Sequence, residues 1–300
     1  NLITNVFLGE GVEVLDVQFE GSAAAVGLFQ NGEDEIGLSR GIVMSTGFAS
    51  ATPGRIGVDS PGAAQSSEVV SGSTPDPDME QLSSTGDIND LVAYTITFVP
   101  ISDTLRFRYV FASEEYPEYV CSEFNDVFGF FISGPGINGP FSNNAQNIAL
   151  IPETNLPVAI NNVNPGVAGA NGAAENCMPP GGSLDFAQYY NSNNGSSGRP
   201  VFDGFTSVFT AEAVVIPCNT YTIRLVICDV TDELFDSGVF LEAKSFGTGS
   251  LKVETATASL DGSVAEGCTQ GELTFSLPKP AESDYFIDYN ILGTAENGVD

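Results

Sequence analysis

Apolar and polar residues alternate along several segments of the chain, with the two-residue period of a strand that buries one face. Other segments are short continuous apolar runs, which fit strands covered on both faces. The predicted strands cover residues 12–19, 41–47, 91–99, 105–111, 126–132, 205–215, 221–229 and 238–246. Strands are therefore expected to be the main element of the fold.

Two long segments between these strands contain few large apolar residues. Residues 49–90 are rich in Gly, Ser, Pro and Asp, and residues 134–200 are rich in Asn, Gly and Pro, so both are expected to form long loops. One short helix is predicted from Pro77 to Leu82, with Asp76 as its N-cap. The pattern predicts an all-β fold, a jelly-roll-like β-sandwich with long loops, in which two sheets pack face to face.

A break in the pattern follows Phe246, where Gly, Thr, Gly and Ser succeed one another. Beyond this break, residues 251–300 repeat a simpler strand pattern, and the chain stops at what resembles the approach to a strand. We therefore expect one β-domain over residues 1–249 and part of a second β-sandwich domain over 251–300, within a longer parent protein.

The charge balance excludes several classes of function. The 300 residues include 39 Asp and Glu, 9 Lys and Arg and no histidine, which gives a net charge of −30. Without histidine the chain cannot use Ser-His-Asp or Cys-His nucleophilic catalysis or build the usual His-based zinc site. So negative a surface repels nucleic acids and anionic lipids. We also expect no direct membrane insertion, because no apolar stretch reaches about 18 residues.

Five cysteines are spread over long spacings, and none forms a CxxC motif. With few Lys and many Asn, Asp and Gly, they favour an extracellular protein with one or two disulfides. The pairing stays open, and five reduced buried thiols are the alternative. The cysteines are Cys121, Cys177, Cys218, Cys228 and Cys268.

One acidic cluster lies just before the predicted strand at 126–132. Its six oxygen-bearing side chains fall within thirteen residues and are Glu114, Glu115, Glu118, Glu123, Asn125 and Asp126. Neighbouring carboxylates repel each other unless a cation neutralises them, and Ca²⁺ takes six to eight oxygen ligands. The glutamates could instead be solvated loop charges. Asp126 adjoins a buried strand, where an unpaired carboxylate is costly, so it is expected to bind an ion or anchor hydrogen bonds.

A second acidic cluster follows the predicted strand at 221–229. It consists of Asp229, Asp232, Glu233 and Asp236, and its spacing suits a single cation, although it lacks the EF-hand pattern. The alternative is a hairpin loop whose acids bind their own backbone. The two clusters could meet at one end of the sandwich. The predicted calcium ligands are Glu114, Glu115, Asn125, Asp126, Asp229, Asp232 and Asp236.

A polar loop offers groups of the kind that bind sugars. Tyr189, Tyr190, Asn191 and Asn193 precede Asp203 and supply aromatic faces and amide groups. The chain has no Trp, the usual stacking platform for sugars, and a plain polar loop is the alternative.

Several separated blocks of sequence are similar to one family. The blocks are Phe107–Tyr116, Phe124–Phe131, Gly9–Val12, Ser45–Gly47, Phe202–Thr206 and Asp236–Glu242. They resemble the choice-of-anchor L domain of bacterial surface proteins over residues 1–249. The resemblance implies an extracellular location on the bacterial cell surface, in long adhesins exported by the type IX secretion machinery of the envelope, a system associated with gliding motility. Residues 288–300 resemble the middle of a Calx-beta repeat, a β-sandwich used in tandem on extracellular stalks.

These observations lead to three competing hypotheses. The chain is expected to be a non-catalytic, calcium-stabilised adhesin module that binds surface glycans or other extracellular surfaces. The first alternative is a glycoside hydrolase that uses Glu114 or Glu115 together with Asp126. The second alternative is a structural spacer or tip domain without a ligand.

Overall fold

The computed structural model describes residues 2–49, 70–72, 74–83, 87–193 and 202–248, and the backbone of 252–256 and 272–276. The chain divides into two compact units, Asn1–Thr248 and Gly249–Asp300. In the described ranges, no helix has both the length and the apolar character needed to cross a membrane.

The first unit is built mainly from strands, with short helical turns between some of them. The strands are β1 Val12–Glu20, β2 Val26–Gln30, β3 Arg40–Ser45, β4 Ile88–Pro100, β5 Thr104–Ser113, β6 Val127–Ser133, β7 Gln146–Asn147, β8 Tyr190–Ser192, β9 Gly204–Thr206, β10 Phe209–Val214, β11 Tyr221–Val230 and β12 Ser237–Glu242. The helices are α1 Glu33–Ile36 and α2 Pro77–Ser83. Shorter turns are a π turn at Ile3–Phe7 and 3-10 turns at Ala23–Ala25, Ser142–Asn144, Ala174–Cys177 and Ala187–Tyr189.

The strands form two sheets in which every paired strand is antiparallel. The first sheet has the order β1-β4-β11-β6-β7. The second sheet has the order β2-β3-β12-β5-β9-β8, and β10 also pairs with β5. The prediction of an all-β sandwich is confirmed.

The main core lies between the two sheets and follows the alternation that the sequence predicts. In β4 the inward side chains are Val92, Tyr94, Ile96 and Phe98, and in β5 they are Leu105, Phe107, Tyr109 and Phe111. The rings of Phe107 and Phe130 meet edge to face, with centroids 5.0 Å apart. Such edge-to-face pairs add stability beyond the apolar area they bury.

The outer faces of both sheets are also partly covered. Helix α2 places Met79 in a cluster with Phe131 and Val226 on the outside of the first sheet. Asp76 caps this helix as predicted, because its Oδ1 accepts hydrogen bonds from the N–H groups of Asp78 and Met79, at 3.1 and 2.9 Å. Phe29, Phe202 and Phe240 belong to a similar cluster on the outside of the second sheet.

Some strand boundaries differ from the prediction. The single strand expected over 205–215 is two strands, because β9 pairs with one end of β5 and β10 with the other. At the junction the Thr206 hydroxyl accepts a hydrogen bond from Phe111 N at 3.1 Å. Within the long loop expected over 134–200, residues 148–151 are largely buried and make one isolated bridge, between Leu150 and Pro157. The strand expected to reach Phe246 ends at Glu242.

The second unit has one described feature, an antiparallel pair of strands, β13 Lys252–Ala256 and β14 Glu272–Ser276. Residues 288–300, which carry the resemblance to a Calx-beta repeat, lie outside the described residues.

Candidate functional site

The two predicted acidic clusters meet at one end of the sandwich, which we call the acidic end. Asp126 immediately precedes β6, and Asp229 lies near the end of β11, just after a register shift against β4. Both acids continue the inward-facing series of their strands, since Phe128 and Ile227, two residues away from them, belong to the main core. Carboxylates therefore occupy positions at which apolar core residues would be expected.

Asp126 is 1% exposed, and both of its carboxylate oxygens accept hydrogen bonds. Val230 N–H donates to Oδ1 at 3.0 Å, and the Ser237 hydroxyl donates to Oδ2 at 2.7 Å. Burial nevertheless raises the pKa of Asp126, and these hydrogen bonds offset part of the rise. Asp126 thus anchors hydrogen bonds, which is one of the two roles that the sequence predicts for it.

Asp229 is fully buried, with 0% exposure, and no hydrogen bond reaches either of its carboxylate oxygens. Burial raises its pKa well above the ordinary range, and the charges of Asp126 and Asp236 raise it further. The carboxyl group of Asp126 faces that of Asp229 closely enough for the two to share a proton, which raises the pKa of Asp229 and lowers that of Asp126. The Thr46 hydroxyl opposes the rise at Asp229 from nearby, although its geometry does not reach that of a hydrogen bond. A buried carboxylate without donors is costly, and it requires a proton or a cation.

Glu114 and Glu115 follow β5 and are buried at the same end. The backbone holds them there: Glu114 N–H donates to Asp236 O at 3.1 Å, and Glu115 N–H donates to Ser113 Oγ at 2.9 Å. Oε2 of Glu115 accepts no hydrogen bond. Burial raises the pKa of Glu115, and the charges of Asp126 and Asp232 raise it further. Glu115 is therefore a second buried acid that needs neutralisation.

Asp236 packs against the turn that follows β3. A Cβ atom added to Gly47 would lie 1.7 Å from Asp236 Oδ2, so only glycine leaves room for this carboxylate. Ser237 N–H donates to Thr46 Oγ1 at 2.8 Å, and Thr46 N–H donates to Ser237 O at 2.9 Å. The turn at Ser45–Gly47 thereby fixes the start of β12.

The other two predicted ligands have local partners. Asn125 Oδ1 accepts a hydrogen bond from Asn161 N–H at 2.8 Å, which ties it to a neighbouring loop. Asp232 Oδ1 accepts from Leu234 N–H at 3.0 Å, as in the hairpin-loop alternative. Asp232 is half-buried, and burial raises its pKa. The structure thus brings five of the seven predicted ligands together at the acidic end, namely Glu114, Glu115, Asp126, Asp229 and Asp236. Asn125 and Asp232 have local hydrogen-bond partners, and the charge of Asp232 still acts on Glu115 and Asp126.

The described basic side chains form their ion pairs away from these acids. The described pairs are Arg106–Glu212, Arg108–Glu242, Arg224–Asp76 and Arg224–Glu20. Within the described ranges, no three Asp, Glu, His or Cys side chains are spaced as ligands of one metal ion. A cation at the acidic end would therefore need hydroxyl, carbonyl or water oxygens in addition to carboxylates.

Three polar residues of this site are not among the candidates chosen from the sequence. Thr46 and Ser237 bond to each other across a separation of 191 residues, while Ser113 lies opposite Ser237 in the sheet and its hydroxyl accepts from Glu115 N–H. Thr46 and Ser237 lie in two of the segments that resemble the choice-of-anchor L domain, Ser45–Gly47 and Asp236–Glu242. That resemblance points to the segments but does not indicate what the two residues bind.

The candidate sugar-binding loop lies near a pair of tyrosines. The ring of Tyr190 packs on the buried ring of Tyr116, with centroids 5.0 Å apart. Half-burial of Asp203 raises its pKa to about 6, and the charge of Glu118 contributes to the rise. Asn193 Nδ2 donates to Phe202 O at 2.9 Å, so the described end of the loop is attached to the strand region.

The cysteines divide into a bonded pair and free thiols. Cys121 and Cys177 form a disulfide, which closes a loop with a sequence separation of 56. Cys218 is free and exposed, and Cys228 is free and buried. Cys268 lies outside the described residues. The expectation of at least one disulfide is met in the structure.

The comparisons with known proteins give one match. The family model of the choice-of-anchor L domain matches residues 1–247, while no curated protein and no solved structure gives a significant match to the chain. The Calx-beta interpretation of the tail stays a prediction. The match covers most of the chain and indicates a bacterial surface-associated protein. The chain belongs to the choice-of-anchor L domain family.

Proposed function

We propose that the chain is a non-catalytic extracellular module of a bacterial adhesin, and that Ca²⁺ neutralises the buried carboxylates of its acidic end. The observation that carries the calcium proposal is Asp229, a fully buried side chain whose two carboxylate oxygens accept no hydrogen bond. The charges of Asp126 and Asp236 act on Asp229, and the charge of Asp126 also acts on Glu115. No described basic residue pairs with Asp229 or Glu115.

Such a cluster can be neutralised by protons or by a cation. An isolated ionised carboxylate in an apolar interior costs several kcal/mol, and adjacent carboxylates add repulsion. Calcium takes carboxylate, carbonyl and water oxygens as ligands in a flexible geometry, and extracellular modules bind it with Kd values of about 10⁻⁴ to 10⁻³ M. These considerations favour a calcium ion over a set of shared protons for a protein of the cell surface.

Burial also argues for a non-catalytic role. A glycoside hydrolase needs two carboxyl groups on either side of a sugar bond, and the candidates are Glu114 or Glu115 together with Asp126. These side chains are at most 3% exposed. A sugar could not reach them without a large movement of the surrounding loops, so they are better suited to stabilising the fold than to hydrolysis.

The proposed partners are surface glycans or other extracellular surfaces, together with the secretion machinery of the envelope. Tyr189, Tyr190 and Asn191 are partly exposed beside Asp203, and they offer rings and an amide to a ligand. Because the net charge of −30 repels polyanions, neutral or amine-bearing glycans are the preferred class.

Thermal unfolding with and without calcium tests the calcium part of this proposal. Ligand binding to the folded state adds RT ln(1 + [L]/Kd), or about 1.4 kcal/mol when the free calcium concentration is ten times Kd. We expect the melting temperature to be higher in CaCl₂ than in EDTA, with a smaller effect of MgCl₂ because Mg²⁺ demands a near-ideal octahedral site. Identical transitions in CaCl₂ and EDTA would contradict calcium stabilisation.

Two parallel assays test the adhesin part. Binding of the calcium-loaded chain to an array of neutral and amine-bearing glycans is expected, and it should weaken in Tyr190→Ala. A panel of chromogenic glycosides should show no turnover. Turnover that is lost in Glu114→Gln would instead support the hydrolase, and a flat array without a calcium response would leave the spacer role.

A further inference from the structure

We propose that the calcium ion at the acidic end is a clasp that joins the two sheets of the sandwich, with Asp229 as its principal ligand. This inference deepens the proposed function and rests on it. Two observations support it. The polar groups of the acidic end come from strands of both sheets, and the carboxylate oxygens of Asp229 accept no hydrogen bond.

The polar groups of the acidic end come from both sheets. Asp126 and Asp229 belong to the ends of β6 and β11 in the first sheet. Thr46 follows β3 and Ser237 begins β12, and both of these strands are in the second sheet. One hydrogen bond, from Ser237 Oγ to Asp126 Oδ2, already crosses between the sheets at 2.7 Å. A cation among these groups would therefore contact both sheets.

The hydrogen bonds of the two buried aspartates give them different roles. Each oxygen of Asp126 already accepts one donor, so this residue is held in place by Val230 and Ser237. Asp229 is equally buried, but no N–H or hydroxyl donates to its oxygens in hydrogen-bond geometry, and its polar neighbours are the Asp126 carboxyl group and the Thr46 hydroxyl. A carboxylate whose oxygens are not engaged can give both of them to a cation, which makes Asp229 the principal ligand.

The second sheet places another carboxylate toward the same site. Asp236 immediately precedes β12, and its side chain lies on Gly47 at the end of β3. Its charge acts on Asp229, which puts the two carboxylates within electrostatic reach of each other. Because Asp229 and Asp236 belong to different sheets, their repulsion pushes the sheets apart when both are ionised, and a cation between them reverses this effect.

Hydrogen–deuterium exchange of the whole chain, with CaCl₂ or with EDTA, tests the clasp directly. We expect calcium to slow exchange in peptides from both sheets near the acidic end, namely the ends of β6 and β11 and the segments 41–47 and 237–242. The far ends of the same strands serve as an internal control. Protection that is confined to the hairpin at 229–236 would overturn the clasp.

Calorimetric titration of CaCl₂ into matched variants tests the ligand assignment. Asp229→Asn keeps the shape of the side chain and removes its charge, and it should weaken calcium binding by about tenfold or more. Asp103→Asn removes the same charge from an exposed acid just before β5, at the end of that strand opposite to Glu115, so its affinity should stay within about twofold of the wild type.

The outcomes separate this inference from the proposed function. If the wild type binds no calcium, the proposed calcium function fails, and the clasp fails with it. If the wild type binds calcium and Asp229→Asn binds it equally well, only the assignment of the ligand is overturned. If Asp229→Asn raises the melting temperature equally in CaCl₂ and EDTA, protons neutralise the cluster, and the clasp is overturned. The exchange experiment on the wild type decides the question even if Asp229→Asn does not fold.

Discussion

The disulfide between Cys121 and Cys177 should be a major source of stability. It connects the loop after β5, which carries Glu115, to a long segment with few strands, and its sequence separation is 56. Closing a loop of this length removes conformational entropy from the unfolded chain, and the chain-entropy model gives about 4 kcal/mol at 25 °C. For a unit of this size, that corresponds to a fall in melting temperature of about 8–16 °C when the bond is absent.

The double variant Cys121→Ser/Cys177→Ser isolates the covalent bond. The backbone contacts around Cys121 do not involve its sulfur: its N–H donates to Asn161 Oδ1 at 2.6 Å, and its carbonyl accepts from Ala173 N–H at 2.8 Å. These contacts should therefore survive in the variant. Cys218→Ser is the matched control, because Cys218 is a free and exposed thiol, and its replacement should change stability by at most about 0.5 kcal/mol.

Urea unfolding with and without reductant provides the assay. In reductant, the wild type should have the same urea midpoint as the double variant has without reductant. Adding reductant should not change the urea midpoint of the double variant. If the free energies of unfolding of the wild type and the double variant differ by less than about 1 kcal/mol, the entropic reasoning is refuted.

Three further predictions concern single polar groups. Asp90→Ala removes the acceptor of the N–H groups of Val70, Ser71 and Gly72, at 2.8, 2.7 and 2.9 Å, and should lower the free energy of unfolding by about 3 kcal/mol in urea; a loss below about 1 kcal/mol would contradict this role. Tyr109→Phe removes a buried hydroxyl that has no partner among the described residues, and should raise that free energy by about 1 kcal/mol, whereas a loss of stability would reveal an unrecognised partner. Asp203 has a folded-state pKa of about 6, above its value of 3.8 in the unfolded chain, so its contribution to stability is present at low pH and is lost as the pH rises from about 4 to about 6. The melting temperature of Asp203→Asn should therefore depend less on pH than that of the wild type over this window, and parallel curves would contradict the shift.

The strands were predictable because their signal is local. The alternation in β4 and β5 reports which face of each strand is buried, and the cap on α2 follows from Asp76 and Pro77 standing side by side. The sequence predicts one strand over 205–215, whereas the structure has β9 and β10. This division depends on the pairing of the two strands with different parts of the same edge of β5, which a local pattern does not show. The order of strands in the sheets likewise depends on contacts between distant parts of the chain.

The candidate site was predictable in part for the same reason. Asp126 and Asp229 stood out because each adjoins an apolar strand, and the structure buries both of them. Thr46 and Ser237 were missed because they are ordinary polar residues that meet across a separation of 191 residues. The position of Asn125 in the acidic cluster predicts a ligand, whereas its amide oxygen accepts from Asn161 N–H, a contact that only the fold reveals.

Isothermal titration calorimetry of CaCl₂ into the chelator-treated chain at pH 7 tests the central claim most directly. Repeating the titration in buffers of different ionisation enthalpy measures how many protons are released on binding. We predict saturable binding of CaCl₂ with a Kd of about 10⁻³ M or tighter, accompanied by the release of protons from carboxyl groups such as Asp229, whose pKa is raised by burial. The absence of a saturable heat of binding up to about ten times that concentration would show that protons alone neutralise the buried acids.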